Sequence, residues 1–366
     1  MARTPAPEVH ASLVAGRDLD QALVKQWQAI VDANTRFASP YFSPCFSQAV
    51  ASVRDDVEIA VFKNRSNELV GLLPFQRMTD SLVEPVGGRL NDVHGIVCPE
   101  HERPQEWFPL LQQLGITSFK HHAAIDADPL CAPSKFQQLQ SHYLDLSDGW
   151  ENYYRWAKSN SRTIKRHGQK TRALSRDLGE VRFEFHSDRL DVLNRMIELK
   201  RGKYQRTRTF DILSVQWAAD LLRAIHGIEQ ANFRGLLSTL WAGDQLVAAH
   251  IGMISNDVLH YWFPVFDPRF SKYSPGTELL LRVAQQACEM GINKLDLGYG
   301  DDDYKFRFAN ACESVTHGLV TQSNAAFQIG KLRYVWRQRL KKIPMKPAVK
   351  KILRTVYPGF GGWNFK

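Results

Sequence analysis

The sequence predicts an α/β protein in which helices flank a mixed sheet, and three observations carry the expectation. Residues 235–241, 245–254 and 258–266 are apolar strands joined by short polar turns, as in an antiparallel meander. Helical spacing follows at Leu279, Leu280, Val283, Ala284, Ala287 and Cys288, with Ser274-Pro275 before it and Gly291 after it. Residues 294–297 then return as a strand, so a crossover helix joins the meander to a further strand and the sheet is mixed. At 366 residues the chain has room for two domains, and Asp148-Gly149 marks the division.

The N-terminal half is expected to open with a helix over 19–34 and a second near 46–53, led in by Phe42-Ser43-Pro44. Residues 58–63 and 69–75 read as a hairpin across 64–68, followed by a polar, glycine-bounded loop at 86–95. A helix near 106–113 and an extended piece near 141–146 complete this half. The C-terminal half begins with one basic helix over 150–178, a strand at 181–186 and helices at 190–204 and 215–227. The meander, the helix after Ser274 and the strand at 294–297 come next, and a strand near 314–323 closes the unit.

Charged and hydrophobic fractions of 23% and 44% are those of an ordinary folded protein. Cys45, Cys98, Cys131, Cys288 and Cys312 are odd in number and never paired as CxxC, which predicts reduced thiols and neither a disulfide frame nor a zinc site. His121-His122 lacks a partner at ligand spacing, so no metal is expected. The first residues lack a signal-peptide core, and no run approaches the roughly 18 apolar residues of a membrane span, which predicts a cytoplasmic location.

The net charge of +9 is local. Residues 331–366 hold eleven Lys or Arg and no acid, which leaves −2 for residues 1–330. Arg155, Lys158, Arg162, Lys165, Arg166, Lys170, Arg172 and Arg176 form a second block, fit either to grip RNA or a phosphorylated carrier or to serve as a solvated arm. The near-neutral body argues against DNA as a partner. Residues 331–366 read as a basic amphipathic tail with Leu332, Trp336, Leu340 and Ile343 in one stripe, suited to an anionic inner-membrane surface or to simple packing. Arg333 and Arg337 would also suit a cyclic dinucleotide.

Particular wording adds a resemblance. Tyr273-Ser274-Pro275-Gly276, Asp296-Leu297-Gly298, Gly300 and Tyr304-Lys305 resemble the GNAT-like acetyltransferase domain of proteins tied to bacterial cellulose and exopolysaccharide synthesis, relatives of the FemAB aminoacyl transferases. Phe42-Ser43-Pro44, residues 71–75 and residues 87–95 resemble the first half of the same proteins, so the likeness spans about 30–325. It implies two GNAT-like domains, 1–148 and 149–330, each a mixed, mostly antiparallel sheet flanked by helices, ahead of the tail. It also implies acetyl-CoA or another acyl-CoA as donor and an amino sugar of a surface polysaccharide, or its lipid-linked precursor, as acceptor. A sphingoid-type lipid amine, aminoacyl transfer from charged tRNA, and a non-enzymatic nucleotide-sensing module remain the alternatives. The usual Arg/Gln-x-x-Gly-x-Gly/Ala pyrophosphate signature is replaced here by Ser274-Pro275-Gly276-Thr277.

Candidate site residues follow from the chemistry. A helix N-terminus offers free N–H donors and a positive dipole end, so Ser274, Gly276 and Thr277 are candidates for holding a cofactor phosphate. Acyl transfer to an amine needs the amine deprotonated, the oxyanion held and the departing thiolate stabilised. Asp296 is placed to hold or deprotonate the acceptor, Tyr304 to protonate sulfur, and Lys305 to anchor a phosphate or sugar hydroxyl. His250 is a candidate general base, and Arg89, Asp92 and His94 are candidates for the acceptor from the first half. Each also has a bland reading: a helix cap, a turn residue, a solvated lysine or a hydrogen-bonded strand histidine.

Overall fold

The structure, a computed structural model, describes residues 9–99, 106–300 and 302–342. It begins with β1 (His10–Ala15), α1 (Gln21–Asp32) and α2 (Pro44–Val53). Asp20 caps α1 by accepting from the Leu23 amide at 2.7 Å, and Pro44 occupies the first turn of α2 behind Ser43. The hairpin β2 (Val57–Lys63) and β3 (Leu69–Arg77) leads to β4 (Leu82–Pro85), α3 (Phe108–Gln113), β5 (Ser118–Ile125) and β6 (Lys135–Asp145).

The basic segment is three helices, α4 (Trp150–Asn160), α5 (Arg162–Lys165) and α6 (His167–Leu178), and not the single helix expected over 150–178. The break lies in Ser159-Asn160-Ser161, where side chains compete for the backbone: Ser159 and Asn160 both donate to the Trp156 carbonyl, and Ser161 leaves helical geometry to cap α5. Then come β7 (Val181–Glu184), α7 (Leu190–Thr207), α8 (Gln216–His226), β8 (Glu229–Gln230), β9 (Phe233–Ala242), β10 (Gln245–Ser255) and β11 (Val258–Phe266). The chain continues through α9 (Pro275–Glu289), β12 (Lys294–Tyr299), α10 (Asp303–Phe308), β13 (Ala311–Thr321) and α11 (Asn324–Lys342). Gly291, at φ +84°, ends α9 where the sequence places the stop.

The fold is α/β with a mixed, largely antiparallel open sheet flanked by helices. The thirteen strands of the described residues join one sheet in the order β1-β2-β3-β4-β5-β13-β6-β12-β11-β10-β9-β7, with β8 paired to β9. The two halves interleave at its centre: β13 inserts between β5 and β6, and β6 pairs with β12. Both faces are covered, so β10 is buried almost throughout and carries no polar alternation. One face holds α1, α2, α7 and α8 over Ile59, Ile251 and Phe263, and the other holds α4, α6 and α9 over Leu240, Leu259 and Leu295.

Candidate active site

The site begins with a defect in β11. Its register against β10 runs from Ile251↔Phe263 to Met253↔His260, so β11 carries one extra residue at a bulge. The bulge flips the strand's parity: Leu259 and Tyr261 face the core under α9, while Phe263 and Val265 face the opposite core. β12 pairs in parallel with β11 only through Val258↔Lys294, Leu259↔Leu295 and His260↔Asp296, and the two strands separate at the bulge. Beyond it, the Pro264 carbonyl accepts from Lys200 Nζ at 2.9 Å.

A cavity of about 650 Å³ opens at this separation. Tyr261, Pro264 and Phe266 form one wall, and Ser274, Gly276 and Thr277 at the start of α9 form another. Tyr304 and Phe308 reach it from α10, and Lys203, Arg206 and Arg307 stand exposed at its rim beside Asp302 and Asp303. A groove of similar volume runs along edge strand β7 and Trp241, with Glu180, Glu184 and Asp244 on its walls. That groove sets Glu180, Glu184 and Asp244 against Arg182 and Arg189, so its walls are acidic on balance and the α9 cavity is the better anion site.

At the helix start the Ser274 side chain does not cap, contrary to expectation. Ser274 has left-handed geometry (φ +54°), and its hydroxyl instead accepts from Lys170 Nζ at 2.6 Å. Its carbonyl takes the Thr277 amide at 3.0 Å. A Cβ added to Gly276 would meet only Phe266 Cδ1, at 3.4 Å, so the backbone there is open to a ligand. Glu278 faces the other way and accepts from His167 (2.8 Å), Thr171 (2.8 Å) and Arg282 (2.8 Å), which pins α6 to α9. Burial raises the Tyr304 pKa, and Asp302, Asp92 and Asp296 raise it further, so the phenol keeps its proton.

Asp296 lies outside the cavity. Its carboxylate is 6% exposed, accepts from the Gly298 amide at 2.8 Å and from His260 Nδ1 at 3.2 Å. His260 Nε2 lies 3.2 Å from Asp92 Oδ2, so one imidazole ties a loop of the first half to β12 of the second. Burial alone would depress the His260 pKa, but the two carboxylates outweigh it and lift it to about 9. Burial raises the Asp296 pKa, while the His260 contact reverses this and carries it down to about 2. Gly298 makes the approach possible: at φ +72°, a Cβ there would sit 2.5 Å from Asp92 Oδ2. The Tyr41 ring closes over the pair, edge-on to His260 at 4.9 Å.

Four other candidates are turned away from the cavity. His250 is fully buried behind Tyr261, stacked on it at 3.9 Å, with no hydrogen bond at either ring nitrogen. Burial and then the His260 charge push its pKa well below the ordinary value, so it stays neutral. Lys305 is buried too. Its position in the first turn of α10 sends the stem back onto β12, where Nζ donates to the Gly298 (3.2 Å) and Tyr299 (2.6 Å) carbonyls. Arg89 donates to Tyr299, and His94 packs against Phe119, His121 and His122 with both ring nitrogens unpaired. The structure thus brings Ser274, Gly276, Thr277 and Tyr304 together, and separately joins Asp92 to Asp296.

Sequence reasoning missed His260, Lys200, Lys203, Arg206 and Arg307. His260 and His250 look alike on apolar strands, and only the β11–β12 register places an acid beside the first. Lys203 and Arg206, on α7 about one turn apart, carry the signal that was available: two cations at the C-terminal end of a helix.

Comparison with known proteins bears on this geometry. Residues 161–306 match the family model described as acetyltransferase (GNAT) domain. The match and the fold define the class of that segment: residues 161–306 form an acetyltransferase (GNAT) domain. Among solved structures, FemX superposes with a TM-score of 0.55 at 12% identity, over 84% of this chain and 98% of that one. The C-terminal domain of a protein assigned as a lysylphosphatidylglycerol synthetase from Agrobacterium fabrum superposes at 0.52 with 13% identity, over 85% and 95%. A conserved Bacteroides thetaiotaomicron protein of unknown function superposes at 0.51 with 11% identity, over 81% and 97%. No curated protein matches the chain in sequence.

Proposed function

We propose that the chain moves an acyl group from an acyl-coenzyme A to the amine of an amino sugar, carried by a surface polysaccharide or its lipid-linked precursor. One observation carries the reading: an open helix start, three rim cations and a protonated phenol share the cavity at the β11–β12 separation. Coenzyme A, when bound, supplies the acyl group as a thioester. The Gly276 amide and the Ser274 and Thr277 hydroxyls, backed by the α9 dipole and by Lys203, Arg206 and Arg307, suit its phosphates. Tyr304 would give its proton to the departing sulfur and regain one from the acceptor nitrogen as the amide forms. Asp302, on the rim, attracts the acceptor amine. Asp296 acts at one remove, as a positioning residue that fixes the Gly298 turn through its amide.

The test pairs purified protein with labelled acetyl-CoA, long-chain acyl-CoA and charged tRNA in parallel, using amino-sugar and lipid-amine acceptors. Gly276→Asp places a carboxylate at the phosphate seat, so KM for acyl-CoA rises tenfold or more with an unchanged melting temperature. An unchanged KM refutes the seat. Aminoacyl transfer from tRNA is the second reading. Its support is the exposed cations Arg162, Lys165 and Arg166 beside Thr163 on the cavity wall, and it predicts activity only with charged tRNA and a steep loss in salt.

A further inference from the structure

Outside the cavity, α11 leaves one face uncovered. Its inner face is seated on the sheet: Phe327 lies 5.1 Å from Phe136, and Tyr334 hydrogen-bonds Gln137 and lies 5.9 Å from the His317 ring. The opposite face carries Ile329, Leu332 and Trp336, which are 50%, 59% and 57% exposed. At about 100° per residue these three fall within an arc of roughly 60°. Arg333 and Arg339, both exposed, flank that arc on its two sides, about 40° and about 20° beyond it. Of the expected apolar stripe, Leu332 and Trp336 are on this face, and the side chains of Leu340 and Ile343 lie outside the described residues.

Charge identifies the occupant. The span 324–342 holds six Lys or Arg and no acid, and 343–366 adds five more without one. An aliphatic and indole stripe flanked by cations, on a helix without acids, matches a surface that is apolar beneath and negative on top. That is the profile of a bilayer rich in anionic lipid, where tryptophan settles at headgroup depth. No helix among the described residues is long and apolar enough to cross a membrane, so the contact is one of lying on the surface.

We propose that α11 docks the protein on an anionic lipid bilayer, with Ile329, Leu332 and Trp336 entering the headgroup boundary and Arg333 and Arg339 meeting lipid phosphates. The proposal stands independently of the acyl-transfer reading.

The experiment is vesicle flotation of the full chain, with phosphatidylcholine alone and with phosphatidylcholine plus phosphatidylglycerol. The protein floats with the anionic vesicles and not with the neutral ones. Leu332→Glu/Trp336→Glu weakens partitioning on the order of tenfold or more while the melting temperature stays, because both side chains are already in solvent. Three results overturn the proposal. The wild type fails to float at low salt. The double variant floats as well as wild type, which leaves attraction to cations alone. Light scattering shows a wild-type dimer that the double variant dissolves, which gives the face to a second copy.

Discussion

His260 is the residue whose removal the structure prices most directly. It is fully buried between Asp92 and Asp296, and its pKa stands at about 9 against 6.5 for the free side chain. That difference corresponds to about 3 kcal/mol of stabilisation from the charged imidazole. Because the folded pKa lies above the unfolded one, the stabilisation is complete below 6.5 and fades as pH rises through about 9. The lowered pKa of Asp296 describes the same pair and is not added. His260→Gln removes the charge and leaves two carboxylates facing each other, so its deficit at about pH 6 is at least about 3 kcal/mol, or roughly 4 °C in melting temperature for a chain of this size. Scanning calorimetry of wild type and variant from about pH 6 to about pH 9.5 tests this: the gap narrows as the wild-type imidazole loses its proton. A gap that is constant across that range, or absent at its acid end, refutes a charged His260 as the tie between the halves.

Other expectations are briefer. Tyr304→Phe lowers kcat by about a hundredfold or more with KM for acyl-CoA nearly unchanged, read by steady-state kinetics with an amine acceptor. Equal kcat in the variant removes Tyr304 from proton transfer. Gly298→Ala forces a Cβ to within 2.5 Å of Asp92 Oδ2 at φ +72°, and thermal or urea melts should show a loss of about 2–4 kcal/mol. Burial takes the Lys200 pKa down from 10.5 to about 7, with Lys203 adding to it, so holding its charge costs stability fully below about 7 and less as pH climbs toward 10.5. Relative to wild type, Lys200→Met therefore fares best at about pH 6 and loses that advantage toward about pH 10, measured as paired melting temperatures.

The C-terminal half was legible because each element carries local punctuation. α9 lies between Pro275 and Gly291, and β9, β10 and β11 are apolar runs parted by polar turns. The N-terminal strands gave less. β1 is an edge strand exposed along most of its length, and β5 hides Lys120-His121-His122 within a buried strand covered by β13. Nothing local marks a partner nearly two hundred residues away. The same gap explains the site. The turn before α9 and Tyr304 are short-range features, whereas choosing His260 over His250 requires knowing that β12 lies beside β11 and that a bulge ends their pairing.

The interleaving of β13 and β6 has a consequence for how this chain comes into being. As the polypeptide emerges from the ribosome, residues up to 148 are complete well before β13 exists, so β5 waits with an open edge until the chain has grown past residue 321. Closure of the first sheet is therefore among the last folding events, slow because the contacts are distant in sequence and vulnerable to strand-to-strand aggregation meanwhile. Severed at residue 148, neither fragment would own a finished edge, and solubility should return only when both are produced in the same cell.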